Sequence, residues 1–407
     1  MGMPLEGIRV LDVTLFQQGP SATTYLADLG AEVIKVEDPI HGDPGRGVQG
    51  LLGSVMDGTA TTGLNYYFES HNRNKKGIAV NLKVPAGRQV IYRLVEKCDV
   101  FAFNYRRQAM SRLGLDYATL SKHNPKLIYA CASGYGPRGP DKDKPAVDGI
   151  GQARSGLMAL VTEPGRPPTD AGLGTIDQLG GVMLAFGVVT ALLVRERTGI
   201  GQEVDASLLG SAISIQSMWF LSYFLAGTSP TKVPREEARN PFINSYRGSD
   251  GRWLHIAVPN STNIWPGFCR ALGIEELKEH PDFITHEKRL ENHQRLIHIL
   301  DQIFATAPAK VWVPRLQAEG VICDLVCTYA DVATDPHAWA NDYLVEVDHP
   351  AAGRIKQVGL PITFSQTPAK VRTGAPFLGQ HTEEVLIEVA GYSWDELAEL
   401  KSQGAII

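Results

Sequence analysis

The sequence predicts an α/β protein built on a parallel sheet. Short apolar, β-rich runs alternate with helical segments through the first half, and the opening unit reads strand–helix–strand. After about residue 225 the alternation stops at a polar, Pro-rich stretch. Taken in order, residues 8–13 (IRVLDV) form a buried strand, 22–29 a helix closed by Gly30, and 31–37 (AEVIKVE) a second strand. GIAVNL (77–82) is a third strand, and the next helix opens near Pro85, a residue suited to a first helical turn. DVFAF (99–103), KLIYACAS (126–133) and EVDAS (203–207) complete the strand-like runs. TSPTKVPREEARNP (228–241) reads as a linker. Residues 242–258 form a hairpin turning at Asp250-Gly251, and charged helical segments fill 267–320. From about 330 the chain is loop-rich, until a last helix opened by a Ser393/Glu396 capping box.

Composition narrows the function classes. With 407 residues, 43% hydrophobic and 20% charged, the chain can bury two or three domain-sized cores. A net charge of -5 gives no global attraction to nucleic acid or anionic membrane. Any anionic ligand must be met by local Lys and Arg. The N-terminus lacks a basic region followed by an apolar run, so it does not read as a signal peptide. Cys98, Cys131, Cys269, Cys323 and Cys327 are scattered without zinc-site spacing, and reduced thiols in the cytoplasm are expected. Residues 178–194 carry no charge, but the run is slightly short for a span of roughly 20 residues. Headed by Asp177 and followed by Arg195 and Arg197, it is expected to be a buried core helix.

Two glycine motifs mislead. GRGVQG (45–50) and GYGPRG (134–139) both fit G-x-G-x-x-G. A dinucleotide fingerprint needs those glycines to join the first strand to its helix. Here that turn is LFQQGP, with one glycine, so both motifs read as loops.

Several segments, in order along the chain, resemble one family. They are GIRVLDVTLFQQGPSATTYLADLGAEVIKVEDP (7–39), HNRNKKGIAVNLK (71–83), FNYRRQAMSRLGLDYATL (103–120), NPKLIYACASGYGPRGP (124–140), TIDQLGGVMLAFGVVTALLVRERTGIGQEVDASLL (175–209) and APFLGQHTEEVL (375–386). The set resembles the class III CoA-transferases, the formyl-CoA, carnitine and bile-acid CoA-transferase type. That resemblance implies a Rossmann-like large domain from 1–225, an inserted smaller α+β domain in 226–330, and a return to the large domain in 331–407. It also implies two chains interlocked as a homodimer, or as a heteromer with a paralogous subunit.

The implied chemistry is transfer of CoA from an acyl-CoA to a free carboxylic acid. No tightly bound cofactor is implied, and coenzyme A enters as substrate. A free carboxylate attacks a thioester poorly, so a protein carboxylate serves as nucleophile, passing through an aspartyl anhydride and an aspartyl-CoA thioester. Asp177 matches the family's catalytic Asp, in the segment Asp-x-x-Gly-Gly. Helix amides and dipole are expected to keep it ionised and to support an oxyanion. Gly180 and Gly181 are expected to let substrate approach the backbone. On spacing alone Asp177 could be only a helix cap.

Other roles carry over from the resemblance. Gln17 is placed beside the thioester, with Gln18 after it. Val80, Asn81, Leu82 and Lys83 match a segment that contacts the CoA nucleotide through its backbone. Asn104, Tyr105 and Arg106 match the family's Asn-Phe-Arg, and Arg112 an arginine that meets phosphate in a fork. Lys144, or Lys142, stands in for a basic position before Asp148. The chain departs from the family at Asp38, at Arg107-Gln108 in place of Pro-Gly, and at 257–263, where no glycine-rich lid is evident. Tyr66, Tyr67 and Phe68, within 51–70, line an acyl pocket or simply pack.

Two alternatives remain. An α-methylacyl-CoA racemase shares the fold but needs a His before the Asp of AVDGIGQ, where this chain has Val147. A non-catalytic CoA-binding subunit would not need Asp177 and Gln17.

Overall fold

The computed structural model describes residues 2–50, 64–349 and 351–407, with the backbone alone for 48–50. Residues 51–63, part of the expected acyl-pocket segment, lie outside the described residues. The chain divides into two compact units. The larger comprises Met1–Val161, Pro168–Pro230 and Pro336–Ile407, and the smaller Thr162–Pro167 and Thr231–Asp335.

The larger unit holds a parallel sheet of β1 (Arg9–Val13), β2 (Glu32–Glu37), β3 (Lys75–Ala79), β4 (Val100–Phe103), β5 (Ile128–Ser133) and β6 (Gln202–Ser207). Their order is β3-β2-β1-β4-β5-β6. Chain order reverses between β1 and β4, the switch point where sheets of this kind open a crevice at their carboxyl ends. The helices are α1 (Gln18–Asp28), α2 (Tyr66–Asn72), α3 (Pro85–Val95), α4 (Arg107–Leu113), α5 (Tyr117–His123), α6 (Asp148–Arg154), α7 (Leu157–Val161), α8 (Thr175–Thr198), α9 (Leu208–Ser214) and α10 (Ser217–Ala226).

The strand period of two splits the core. Val10, Val33, Val100 and Ala130 face α1 and α8. Leu11, Ile34, Phe101 and Tyr129 face the opposite layer, where α3 and the C-terminal segment pack. Both faces are covered, which is why these strands read as continuous apolar runs.

In the smaller unit, β7 (Ile243–Arg247), β8 (Trp253–Ala257) and β9 (Cys323–Leu325) form an antiparallel sheet. The hairpin turns where Asp250-Gly251 stands. Around it lie α11 (Trp265–Leu272), α12 (His286–Glu291), α13 (His293–Phe304), α14 (Ala309–Ala318) and α15 (Tyr329–Val332).

The larger unit resumes with α16 (Pro336–Ala340), β10 (Leu344–His349), β11 (Gly353–Val358), α17 (Thr382–Glu388) and α18 (Trp394–Ser402). The hairpin β10–β11 corrects the expectation of a loop-rich stretch after 330. The C-terminal segment shields the edge strand: His381 N–H bonds Gly77 O at 2.9 Å, and Asn81 N–H bonds Ala405 O at 2.8 Å.

α8 is long and apolar enough to cross a membrane by length and composition. One face is packed inside the protein, through Gly180, Gly181, Leu184, Val188, Ala191 and Leu192. The other face, with Val182, Phe186, Val189 and Leu193, is exposed in the single chain, so the expectation of burial all round is corrected.

The expectation that Gly180 and Gly181 make room for substrate is corrected. They face α1. A Cβ on Gly181 would stand 2.8 Å from Ser21 Cβ and 3.0 Å from Gln18 O; one on Gly180 would stand 2.6 Å from Gln18 Nε2. The glycines let two helices approach backbone to backbone. Gly181→Val is predicted to destabilise the protein by about 2–3 kcal/mol through overpacking, as read by urea unfolding.

Candidate active site

A cavity of about 520 Å³ opens at the carboxyl ends of β1, β4 and β5, wholly within the larger unit. Asp177 lines it, in the first turn of α8. Around it stand Gln17, Gln18, Asn104, Tyr105, Arg106, Lys144 and Asp148. Eight of the residues expected from sequence therefore converge. Val80, Asn81, Leu82, Lys83 and Arg112 do not line it. The first four follow edge strand β3, and Arg112 is exposed on α4.

The α8 N-terminus is capped from a distance. Its own N-cap residue is Gly174, which has no side chain. Asp148 Oδ1 instead accepts the N–H of Ile176 at 2.7 Å and of Asp177 at 3.1 Å. Its Oδ2 accepts from Gln152 Nε2 at 2.6 Å. The remaining first-turn amides are also bonded, Thr175 N–H to Gly172 O and Gln178 N–H to Gly174 O. Those amides are thus taken, which corrects the expectation that they hold Asp177 ionised or bind an oxyanion.

The electrostatics change accordingly. Burial, and the Asp148 carboxylate beside it, push the Asp177 carboxyl up to about 7. Burial and the same acidic neighbours raise the Tyr67 phenol, which stays protonated.

Gln17 ends the first βα turn. Its Nε2 donates to Gly174 O at 3.2 Å, joining that turn to the start of α8. Gly174 has φ +75, and a Cβ there would lie 2.3 Å from Gln17 Nε2. Gln18 is buried and donates to Ala206 O at 3.0 Å. Asn104 grips the same turn with both ends of its amide: Oδ1 accepts Leu15 N–H at 2.8 Å, and Nδ2 donates to Leu15 O at 2.7 Å.

Arg106 and Lys142 bring exposed cations to the cavity, while Lys144 pairs with Asp141 at 2.6 Å. Arg107, named above as a departure, pairs with Glu203 at 2.7 Å and Asp205 at 3.0 Å on β6. Tyr67 lines the cavity, whereas Phe68 is core, stacked under the Arg46 guanidinium.

One contributor had no signal in the sequence. Gln178, beside Asp177, donates to His71 Nε2 and accepts from Tyr25 Oη, both at 2.8 Å. Burial pushes His71 down to about 4, so the ring is neutral and accepts that bond. Only the fold joins α1, α2 and α8 this way.

A sequence model described as CoA-transferase family III matches residues 5–382. The chain belongs to this family. An acyl-CoA transferase of Fusarium pseudograminearum is 34% identical over 99% of this chain and 88% of its own. Succinyl-CoA:glutarate CoA-transferase of Mus musculus is 32% identical over 99% and 90%. (R)-2-hydroxy-4-methylpentanoate CoA-transferase of Clostridioides difficile is 31% identical over 99% and 100%. A solved CAIB/BAIF family protein from Brucella suis has a TM-score of 0.85 at 29% identity, covering 96% of this chain and 100% of its own. The family III assignment makes the chain an enzyme acting on CoA thioesters.

The raised Asp177 carboxyl has a stability consequence. Its folded value lies above the ordinary 3.8, so the native protein holds the extra proton between about pH 4 and 7. Stability intact at pH 4 is lost as pH rises toward 7. Asp177→Asn is predicted to melt higher than the parent at pH 8 and alike at pH 4, measured by thermal denaturation at both.

Proposed function

We propose that this family III enzyme moves CoA from an acyl-CoA to a free carboxylic acid, with Asp177 as the covalent carrier. The supporting observation is a half-buried carboxyl held near pH 7, at the wall of a cavity edged by cations, in a chain of this family. A carboxylate of that basicity is a better nucleophile than an ordinary one, yet about half ionised at neutral pH.

Asp177 attacks the thioester carbonyl, forming a mixed anhydride and releasing CoA thiolate. The thiolate attacks the Asp177 carbonyl, leaving an aspartyl-CoA thioester and freeing the donor acid. The acceptor carboxylate displaces CoA thiolate to give a second anhydride. The thiolate then attacks the acceptor's carbonyl, releasing new acyl-CoA and restoring Asp177. Gln17 contacts the thioester through its amide, which stands beside Gly174 O at the start of α8. Asn104, Tyr105, Arg106 and Lys144 carry the CoA arm from the cavity. The nucleotide end crosses the carboxyl edge of the sheet toward Val80–Lys83, two strands beyond β1, with Arg112 outside the cavity as a phosphate partner.

Racemisation is not favoured. Val147 stands exposed at the cavity, and no histidine is among the described residues that line it.

A second copy of the chain covers the exposed apolar faces of α8 and α10. Phe186 is 69% exposed and Phe224 71%, and no residue of α10 is buried. The interlocked homodimer accounts for this in a cytoplasmic protein. Light scattering is predicted to give twice the chain mass, and Phe186→Glu with Phe224→Glu to give monomer; a monomeric parent would refute the dimer.

The transfer is tested with a panel of acyl-CoA donors, succinyl-CoA included, against dicarboxylic and 2-hydroxy acids. Product CoA thioesters are read by mass spectrometry. Asp177→Ala is predicted to lose exchange by at least about 10⁴-fold, and the parent rate to rise with pH through about 7. Rapid α-deuterium exchange of a 2-methylacyl-CoA in deuterated water would overturn the reading.

A further inference from the structure

Beneath the first βα turn lies a buried ion network that the transfer steps do not use. Asp12 and Lys35 are 0% exposed, Asp43 1% and Lys75 3%. Lys35 Nζ donates to Asp43 Oδ2 at 2.8 Å and to Thr14 O at 2.9 Å. Lys75 Nζ donates to Asp12 Oδ2 at 2.9 Å and to Pro20 O at 3.0 Å. Asp12 Oδ1 accepts the Thr14 N–H at 2.9 Å, and Asp43 Oδ1 accepts the Phe16 N–H at 3.1 Å. Desolvating such charges is costly, and well-packed apolar residues in their place are often no less stable. The return on that cost is geometry.

The geometry held is a strained one. Phe16 has φ 61, in the left-handed region that a residue with a Cβ avoids. The residue is 43% exposed, so its side chain is not locked in the core. Backbone bonds hold the conformation: Thr14, Leu15 and Phe16 are each tied to a buried or half-buried side chain. Gln17 is the next residue, and its amide lands 3.2 Å from Gly174 O, at the mouth of the helix that carries Asp177.

We propose that the Asp12, Lys35, Asp43 and Lys75 network is a positioning device for Gln17. It locks Phe16 in the left-handed turn and thereby aims the Gln17 amide at the reacting thioester. Asp43 and Lys35 are positioning residues that act through Gln17. The inference rests on the reading of Gln17 as a thioester contact in the transfer reaction.

A double-mutant cycle on the full-length enzyme tests it, with single-turnover CoA release from succinyl-CoA as the readout. Asp43→Asn is predicted to lower the chemical rate by about a hundredfold, with KM within about twofold. In a Gln17→Ala background the same change costs less than about twofold. Lys35→Met, which keeps length and removes charge, reproduces both results and serves where Asp43→Asn folds poorly. Equal losses in both backgrounds, or a loss confined to KM or thermal stability, overturn the proposal. So does a Gln17→Ala variant as fast as the parent, since the device then has nothing to position. Asp177→Ala is the separate control: if it releases CoA at the parent rate, the covalent reading of Asp177 fails, while the cycle still decides the role of the network.

Discussion

The close contact of α1 with α8 is the constraint on which the site depends. Gly180 and Gly181 remove the side chains that would hold the helices apart. Gln18 then reaches across to Ala206 O, and Gln17 to Gly174 O. The first turn of the sheet and the first turn of α8 thus become one assembly. The cavity forms where they meet, at the switch point of the sheet.

Charge is arranged around that assembly in two different ways. Under the turn, Lys35 is paired with Asp43 and Lys75 with Asp12, all four side chains shut off from solvent. At the head of α8 two carboxylates stand together with no bonded cation among the described residues, and the result is a proton held to unusually high pH. Asp148 spends its lone pairs on helix amides, so Asp177 is left with burial and a like charge. The same residue that fixes the Asp177 backbone also raises its carboxyl's basicity. Structural support and chemical tuning are therefore one interaction here.

Much of this was legible in the sequence, for physical reasons. Strands buried on both faces read as apolar runs, so β1, β2, β4 and β5 were evident within a residue or two. Asp177 was singled out because its segment resembles a family pattern, and it meets seven other expected residues at one cavity. What stayed hidden is tertiary. The glycines after Asp177 read as room for substrate, but whether a missing Cβ faces a ligand or a helix depends on what packs against it. Free amides were expected at the start of α8, because the cap comes from Asp148, 29 residues earlier in the chain. The hairpin β10–β11 was missed because Pro and Gly around it masked its alternation.

The most direct test of covalent transfer through Asp177 is chemical mapping of the residue that takes up the acyl group or CoA. The enzyme would be mixed with acyl-CoA, quenched in acid within a turnover, digested with pepsin and sequenced by mass spectrometry. A CoA thioester or acyl mass is expected on the peptide bearing Asp177, and none in Asp177→Asn. An adduct on another residue, or transfer at the parent rate by Asp177→Asn, would contradict it.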